Sequence, residues 1–173
     1  YKGLGLTGAG SDNTGHNEIL NCEVHHNGTG DLHHGMYICT ADNLIEGNVV
    51  HHNGSYGVQV YKAGERRADN NIIRGNVIRD NPRGMVLAGN RGNLCYNNLI
   101  YDNADLGLWD AAADTKVYNN TFFHNGGAAI SLQYGSGALV KNNVFWRNGA
   151  DSVATKESTN STIQSNLAAD PSF

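Results

Sequence analysis

The chain has 173 residues, enough for one domain with a buried core, and its composition differs from that of a helical bundle. Glycine occurs 22 times, asparagine is abundant and proline occurs only twice. Glycine and asparagine both disfavour helix interiors. The formal net charge of −4 is mild, and no run of about 18 apolar residues predicts a membrane-spanning helix. The three cysteines match neither a disulfide framework nor a zinc spacing.

Asparagines recur along the whole chain at two positions of a repeat of 22 to 28 residues. The first position is occupied by Cys22, Asn48, Asn76, Asn98, Asn120, Asn143 and Asn166. The second, five residues later, is occupied by Asn27, Asn53, Asn81, Asn103, Asn125 and Asn148. Asparagine tolerates a left-handed backbone and can pass side-chain hydrogen bonds to an asparagine one repeat away. The pattern therefore predicts stacked turns.

Short apolar segments lie between these asparagines, and all are too brief for helices. Two of them predict columns of inward residues, which begin at Ile19 and at Val24. A third alternates with period two, as in Gly57-Val58-Gln59-Val60, which is typical of a half-buried strand. Three short strands in each repeat predict an all-β fold: a right-handed, single-stranded parallel β-helix of about seven coils, stacked about 4.8 Å apart. Helical periodicity and hairpin signals, which an α/β protein or a β-sandwich would need, are absent.

We expect residues 1–173 to form a single domain. Solenoids need a cap at each end to avoid open sheet edges, and no amphipathic capping helix precedes Tyr1. The chain is therefore expected to be a piece of a longer protein or to be capped by association.

Two insertions lengthen the first two full coils, whereas the other coils keep the minimal 22 or 23 residues. They are Thr29–His34 and Lys62–Asp69, and both flank the third strand of adjacent coils. Lengthened loops on one side of a rigid solenoid are where binding and catalysis usually occur. The sequence thus predicts a functional site on the face of this third strand.

The outward positions of that face carry aromatic and polar side chains. They are Gly5, Tyr37, Gln59, Val86, Trp109 and Ser131, followed two residues later by Cys39, Tyr61, Ala88, Ala111 and Gln133. Aromatic planes bind the C–H faces of sugar rings, while amides bind the hydroxyl groups. Gln59, Tyr61 and Trp109 are therefore predicted to bind a carbohydrate. The alternative is that exposed tyrosine and tryptophan only reflect β-sheet propensity.

Residues 62–91 contain seven basic and three acidic side chains, a net charge of +4, whereas the rest of the chain has −8. A basic zone beside the face favours an anionic ligand such as a uronic-acid polymer. Arg66, Arg67 and Arg83 are predicted to bind it. A solvated basic surface is the alternative, and the acidic remainder argues against nucleic acid as a partner.

The repeats resemble those of the parallel β-helix superfamily that contains polysaccharide lyases, mannuronan C5-epimerases and related carbohydrate-active proteins. The resemblance extends to the closing segment 166–173, which is similar to the exit from the last coil in that superfamily. Asp31-Leu32-His33 resembles the Asp-x-His of the mannuronan C5-epimerase active site, with leucine in place of the family's proline.

The resemblance implies an enzyme that acts on an acidic, uronic-acid-containing polysaccharide by removing the weakly acidic proton at C5. Such an enzyme is a lyase, if the 4-linked sugar leaves, or a C5-epimerase, if a proton returns on the opposite face. On this basis His33 or His34 is the base or acid, and Asp31 orients it. Tyr37 or Tyr61 would supply the second proton.

A cation is also needed to neutralise the sugar carboxylate, and Lys62, Arg66 or Arg67 is expected to supply it. An alternative of a different class is a non-catalytic, glycan-binding β-helix module of a surface or tailspike-like protein. In that case His33 and His34 would be ordinary polar loop residues.

We expect no cofactor. A calcium site would need converging carboxylates, and Asp31, Asp110 and Asp114 are too scattered for one. Asp110 falls on an inward register and is interpreted as a turn-forming residue at the end of its strand. His25-His26 and His51-His52 lie in register one coil apart, but zinc favours three or four convergent ligands, so no metal site is predicted.

Tyr101, Phe123 and Trp146 form an outward aromatic column on another face. An exposed apolar stripe predicts a packing partner, either a second copy or a further segment of the protein. No signal peptide is visible. The resemblance implies an extracellular or periplasmic location.

Overall fold

The computed structural model describes residues 3–7, 15–64 and 67–168, which form twenty β-strands and no helix that could cross a membrane. The strands are β1 (Leu4–Leu6), β2 (Glu18–Leu20), β3 (Glu23–His25), β4 (Met36–Ile38), β5 (Leu44–Glu46), β6 (Val49–His51), β7 (Tyr56–Tyr61), β8 (Ile72–Arg74), β9 (Val77–Arg79), β10 (Arg83–Arg91), β11 (Leu94–Tyr96), β12 (Leu99–Tyr101), β13 (Leu108–Ala113), β14 (Lys116–Tyr118), β15 (Thr121–Phe123), β16 (Ile130–Gln133), β17 (Leu139–Lys141), β18 (Val144–Trp146), β19 (Val153–Lys156) and β20 (Thr162–Gln164). Most of the closing segment 166–173 lies outside the described residues.

The strands form three parallel sheets, so the predicted β-helix is confirmed. Sheet A has the order β1-β4-β7-β10-β13-β16-β19, sheet B β2-β5-β8-β11-β14-β17-β20, and sheet C β3-β6-β9-β12-β15-β18. Six complete three-strand coils follow β1 and precede β20. The expected number of about seven was slightly too high, because the described residues contribute only a single strand at each end.

The two predicted inward columns form the core. One runs from Ile19 through Cys95 to Val140 in sheet B, and the other from Val24 to Phe145 in sheet C. Sheet A adds inward residues from each strand of its own, such as Val58 and Val60 in β7. Each of these residues packs on the equivalent residue of the next coil, so the core is continuous along the solenoid.

The asparagines form ladders that join successive coils, as the repeat predicted. Asn98 accepts hydrogen bonds from the backbone N–H and the side-chain Nδ2 of Asn76, at 3.0 and 2.9 Å. Its own Nδ2 donates to Asn120 Oδ1 at 2.9 Å and to the carbonyl of Ile73 at 3.0 Å. The same pattern repeats in the ladder that begins at Asn27.

A third ladder, which the repeat analysis did not single out, joins only the first coils. The backbone N–H groups of Asn17, Asn43 and Asn71 each donate to the side-chain oxygen of the next asparagine, ending at Asn93. One coil later this corner is occupied by Thr115, whose hydroxyl donates to Asp110 Oδ1 at 3.2 Å.

The interpretation of Asp110 as a turn residue at the end of its strand was wrong. Strand β13 continues to Ala113, and the Asp110 side chain points into the core, where the residue is 2% exposed. Its Oδ1 accepts from the Ala112 N–H at 3.0 Å and from Thr115. Burial disfavours the charged form and raises the pKa of Asp110 to about 6.

Replacing Asn98 by alanine should lower the free energy of unfolding by about 2–5 kcal/mol, because two buried donors of Asn76 lose their acceptor. Chemical denaturation measures this change. Asn97→Gly is the matched control: Asn97 is exposed and left-handed, with a φ of 55°, so glycine fits there. Equal losses in the two variants would contradict the ladder's role.

Stability should fall as the pH rises through the pKa of Asp110. The pKa in the folded state, about 6, lies above the ordinary value of 3.8, so the protonated form favours folding. Between pH 4 and 7 this group should lower the free energy of unfolding by about 2 kcal/mol. Asp110→Asn should remove that part of the pH dependence, measured by denaturation at each pH. An unchanged slope in the variant would show that another group is responsible.

Candidate functional site

The two inserted loops lie at opposite edges of sheet A. Thr29–His34 immediately precedes β4, and Lys62–Asp69 immediately follows the neighbouring strand β7. A strand rises about 3.3 Å per residue, so the loops are about 20 Å apart across the face. They therefore flank the predicted face, but they cannot act on the same sugar ring. Arg66, predicted in the second loop, lies outside the described residues.

His33 closes the first loop. Its Nδ1 accepts hydrogen bonds from the backbone N–H groups of Thr29 and Gly30, at 3.0 and 2.9 Å. The backbone N–H of His33 donates to the carbonyl of Gly30 at 2.8 Å. A neutral His33 therefore carries its proton on Nε2. Asp31 is exposed at the tip of the loop, next to the 74% exposed Leu32.

His34 belongs to a cluster of rings at the edge of sheet A where β4 and β7 begin. It is 4% exposed and lies between Tyr37 and Tyr56, with both ring centroids 5.9 Å away. The Arg83 guanidinium lies over the Tyr56 ring, 5.4 Å from its centroid, and its Nε donates to Asp105 Oδ2 at 3.2 Å. We call these five residues the edge cluster.

Burial is the main cause that raises the pKa of the Tyr56 phenol above its ordinary value, although the nearby Arg83 opposes it. Tyr56 therefore keeps its proton at neutral pH and can serve as a proton donor. The ion pair with Asp105 raises the pKa of Arg83, so this guanidinium stays charged.

The predicted outward column of sheet A is confirmed by the strand register. Tyr37, Gln59, Val86, Trp109 and Ser131 lie side by side in successive strands. The column is only partly open, because Val86 is 1% exposed although it points outward. Gln59 Oε1 and Trp109 Nε1 are also covered, and neither has a hydrogen-bond partner within the described ranges.

A buried polar atom without a hydrogen-bond partner destabilises the folded protein. A ligand that forms the missing hydrogen bond therefore gains affinity. Tyr61 lies two residues beyond Gln59 in β7, beside Ala88, and is 41% exposed. Cys39, which was expected on the open face, is instead buried.

Lys62 and Arg67 line a groove at the other edge, where sheet A turns into sheet B. This open groove has a volume of about 440 Å³ and also contains Asp69 and Arg91. Arg91 donates to Asp114 Oδ2 at 2.9 Å. Lys62 and Arg67 form no ion pair with any other residue that the structure describes.

The basic zone is not one surface. Arg74 lies on sheet B and pairs with Glu46 at 2.7 Å, and Arg79 lies on sheet C and pairs with Asp80. Among the basic residues of this zone that the structure describes, only Arg83 and those of the Lys62 groove lie beside sheet A. The basic segment therefore wraps around the solenoid, and its charge is divided among three faces.

Two pairs of histidines form a stacked array at the end of sheet C. His25 stacks on His51 and His26 on His52, with centroids 5.0 and 5.2 Å apart. Within each coil the two Nδ1 atoms are 2.7 Å apart, and His51 Nε2 contacts Glu23 Oε1 at 3.0 Å. No group of three His, Cys, Asp or Glu side chains in the described ranges is placed to hold a metal ion.

Sequence reasoning missed Tyr56 and Asp105. Tyr56 has the same strand parity as the inward Val58, so period two predicts that it is buried in the core. The signal that could have found it is its register opposite Arg83, which pairs with Asp105 one coil further on.

The architecture, three parallel sheets joined by asparagine ladders, defines a parallel β-helix protein. The family described as right handed beta helix region matches residues 7–168, and the chain belongs to this family. No curated protein and no solved structure matched the chain.

His33→Ala should loosen the first loop, because the Thr29 and Gly30 N–H groups lose their acceptor. Amide hydrogen exchange at these two residues should accelerate about tenfold or more, measured by NMR. Asp31→Asn, a change at an exposed position in the same loop, is the control and should leave both rates unchanged. Unaltered exchange in His33→Ala would show that the loop is held by other contacts.

Proposed function

We propose that the outward face of sheet A binds an acidic, uronic-acid-containing polysaccharide and that the edge cluster removes the C5 proton of one sugar. The chain would then be a polysaccharide lyase or a C5-epimerase. Membership of the β-helix family supports a carbohydrate-related or surface role. The observation that carries the finer proposal is the edge cluster itself, where a histidine, two tyrosines and a charged arginine meet.

The face offers what a sugar chain needs. Trp109 and Tyr37 provide aromatic surface, while Gln59 Oε1 can accept from a hydroxyl and Trp109 Nε1 can donate to one. Arg83 uses its Nε for Asp105. Further N–H groups of the guanidinium can bind the sugar carboxylate.

In the proposed reaction His34 takes the proton from C5 while Arg83 stabilises the charge that develops on the carboxylate. His33 is less suited to be the base, because its Nδ1 already accepts two hydrogen bonds. In a lyase the electron pair of the C5–H bond forms the C4–C5 double bond as the C4–O4 bond breaks, and Tyr56 protonates O4. In an epimerase Tyr56 or Tyr37 returns a proton to C5 on the opposite face.

The Lys62 groove has no role in the proton transfer. It is about 20 Å from the edge cluster, across the strands of sheet A, so Lys62 and Arg67 are too far away to contact the sugar that reacts. The proposal also implies that the protein works where such polysaccharides occur, in the extracellular space or the periplasm.

Incubation with alginate, pectate and glycosaminoglycans in deuterated water tests the reaction. A lyase produces an unsaturated sugar at the new chain end, and an epimerase introduces deuterium at C5 without cleavage. Intact binding with neither product on any of these substrates would refute the enzymatic proposal.

Variants of the edge cluster should separate catalysis from binding. His34→Gln and Tyr56→Phe should each lower turnover about 100-fold or more, because each removes a proton-transfer group. Lys116→Gln is a control, since Lys116 is exposed on sheet B, away from the site. If the His34 and Tyr56 variants turn over at the rate of the Lys116 control, the edge cluster is not the catalytic centre.

A second candidate is a non-catalytic glycan-binding module. The burial of His34 favours it, because a base must reach C5 within about 3 Å and this residue is only 4% exposed. A binding module should show unchanged glycan affinity in His34→Gln. It should lose affinity in Trp109→Ala, because that variant removes the stacking surface.

A further inference from the structure

A second polar groove lies at the turns that lead from sheet C into sheet A. Asp102, His124 and Arg147 occupy equivalent positions in three successive coils, with left-handed φ values of 51°, 52° and 50°. Together with Gly126 and Gly149 they line an open groove of about 400 Å³. We call it the distal groove, since it lies at the coils furthest from the two inserted loops.

Two stacked aromatic rings border the distal groove. The rings of Phe123 and Trp146 are stacked in adjacent strands, with centroids 4.8 Å apart and planes inclined by 23°. The Arg147 guanidinium lies 4.7 Å from the centroid of Trp146, and the His124 ring lies 5.6 Å from that of Phe123. Because Trp146 stacks on Phe123 and also lies under the Arg147 guanidinium, its ring holds that guanidinium beside the groove through a cation–π contact.

The polar groups of the distal groove complement an acidic sugar. His124 Nδ1 contacts Asp102 Oδ1 at 2.6 Å, so a proton lies between them, and Nε2 of a neutral His124 can accept from a sugar hydroxyl. Arg147 is exposed and forms no ion pair within the described part of the chain. Its guanidinium is therefore available for a carboxylate.

The floor of the groove is backbone. A Cβ atom at Gly126 would collide with the carbonyl of Ala104, and one at Gly149 would collide with the carbonyl of Gly126. Glycine is therefore required for the close approach of these turns. The absence of side chains there leaves the space between His124 and Arg147 open to a ligand.

The distal groove and the edge cluster lie along the same edge of the solenoid. Asp105, which pairs with Arg83 in the edge cluster, follows Asp102 by three residues in one turn. Coils are about 4.8 Å apart, so Tyr56 and Arg147, four coils apart, are separated by about 19 Å along the axis. A linear polysaccharide parallel to the axis can contact both.

We infer that the distal groove is a remote binding site for the same acidic polysaccharide, in which Arg147, held over the Trp146 ring, binds a carboxylate and His124 binds a sugar hydroxyl. This inference rests on the proposed function, because the groove would bind the part of the chain beyond the reacting sugar. It predicts that long oligosaccharides bind more tightly than short ones.

Titration calorimetry with alginate and polygalacturonate oligosaccharides of two lengths tests the inference: disaccharides, and chains of about ten sugars. Arg147→Gln should weaken binding of the long chains about tenfold and leave disaccharide binding unchanged. Trp146→Ala should act in the same direction, because it removes the ring that positions the Arg147 guanidinium. Lys116→Gln removes the same charge on sheet B and should alter neither affinity by more than about twofold.

Three outcomes would overturn the inference. Unchanged long-chain affinity in both distal-groove variants would do so while leaving the proposed function intact. A second such outcome is that Trp146→Ala converts a dimer to a monomer in light scattering without any change in affinity. The aromatic column would then be a self-association surface. If the natural sequence binds none of the oligosaccharides, the proposed function fails and this inference fails with it.

Discussion

The structure depends on the hydrogen bonds that asparagine side chains make to the backbone of the adjacent coil. The backbone N–H and C=O groups of parallel strands pair with one another within the sheets. At the corners between sheets, some backbone N–H groups have no strand partner. The ladders supply the acceptor, as when Asn48 Oδ1 accepts from the Cys22 N–H at 2.9 Å. Because every coil is held in this way, outward side chains repeat at a fixed spacing, and the face of sheet A and the distal groove are both built on that spacing.

The repeat period was sufficient to predict the three sheets and the outward column that contains Tyr37, Gln59 and Trp109. It could not predict the edge cluster, because period-two alternation places Tyr56 inside the core. Tyr56 is the first residue of β7, so its side chain lies at the edge of sheet A, where it meets His34 and Arg83. The packing there depends on contacts between coils, which a single sequence does not reveal.

The charge count and the positions of the loops show the same limit of prediction from sequence. Counting residues 62–91 correctly found an excess of positive charge, but it could not show that Arg74 and Arg79 lie on other faces and are neutralised there. The inserted loops marked the two edges of sheet A correctly. The distance between them follows only from the number of residues in β7, and it separates Lys62 from His34.

The early end of the third ladder has a consequence for cooperativity. In a solenoid each coil contacts only its neighbours, so the coupling between adjacent coils decides whether the whole chain unfolds as one unit. Three ladders cross from the third coil to the fourth, but only two cross from the fourth to the fifth, because the third ladder stops at Asn93 and Thr115 with Asp110 takes its place. Above pH 6 that corner contains a buried negative charge. The coupling between coils is therefore weakest at this junction, and the first four coils and the last two are the parts expected to unfold separately.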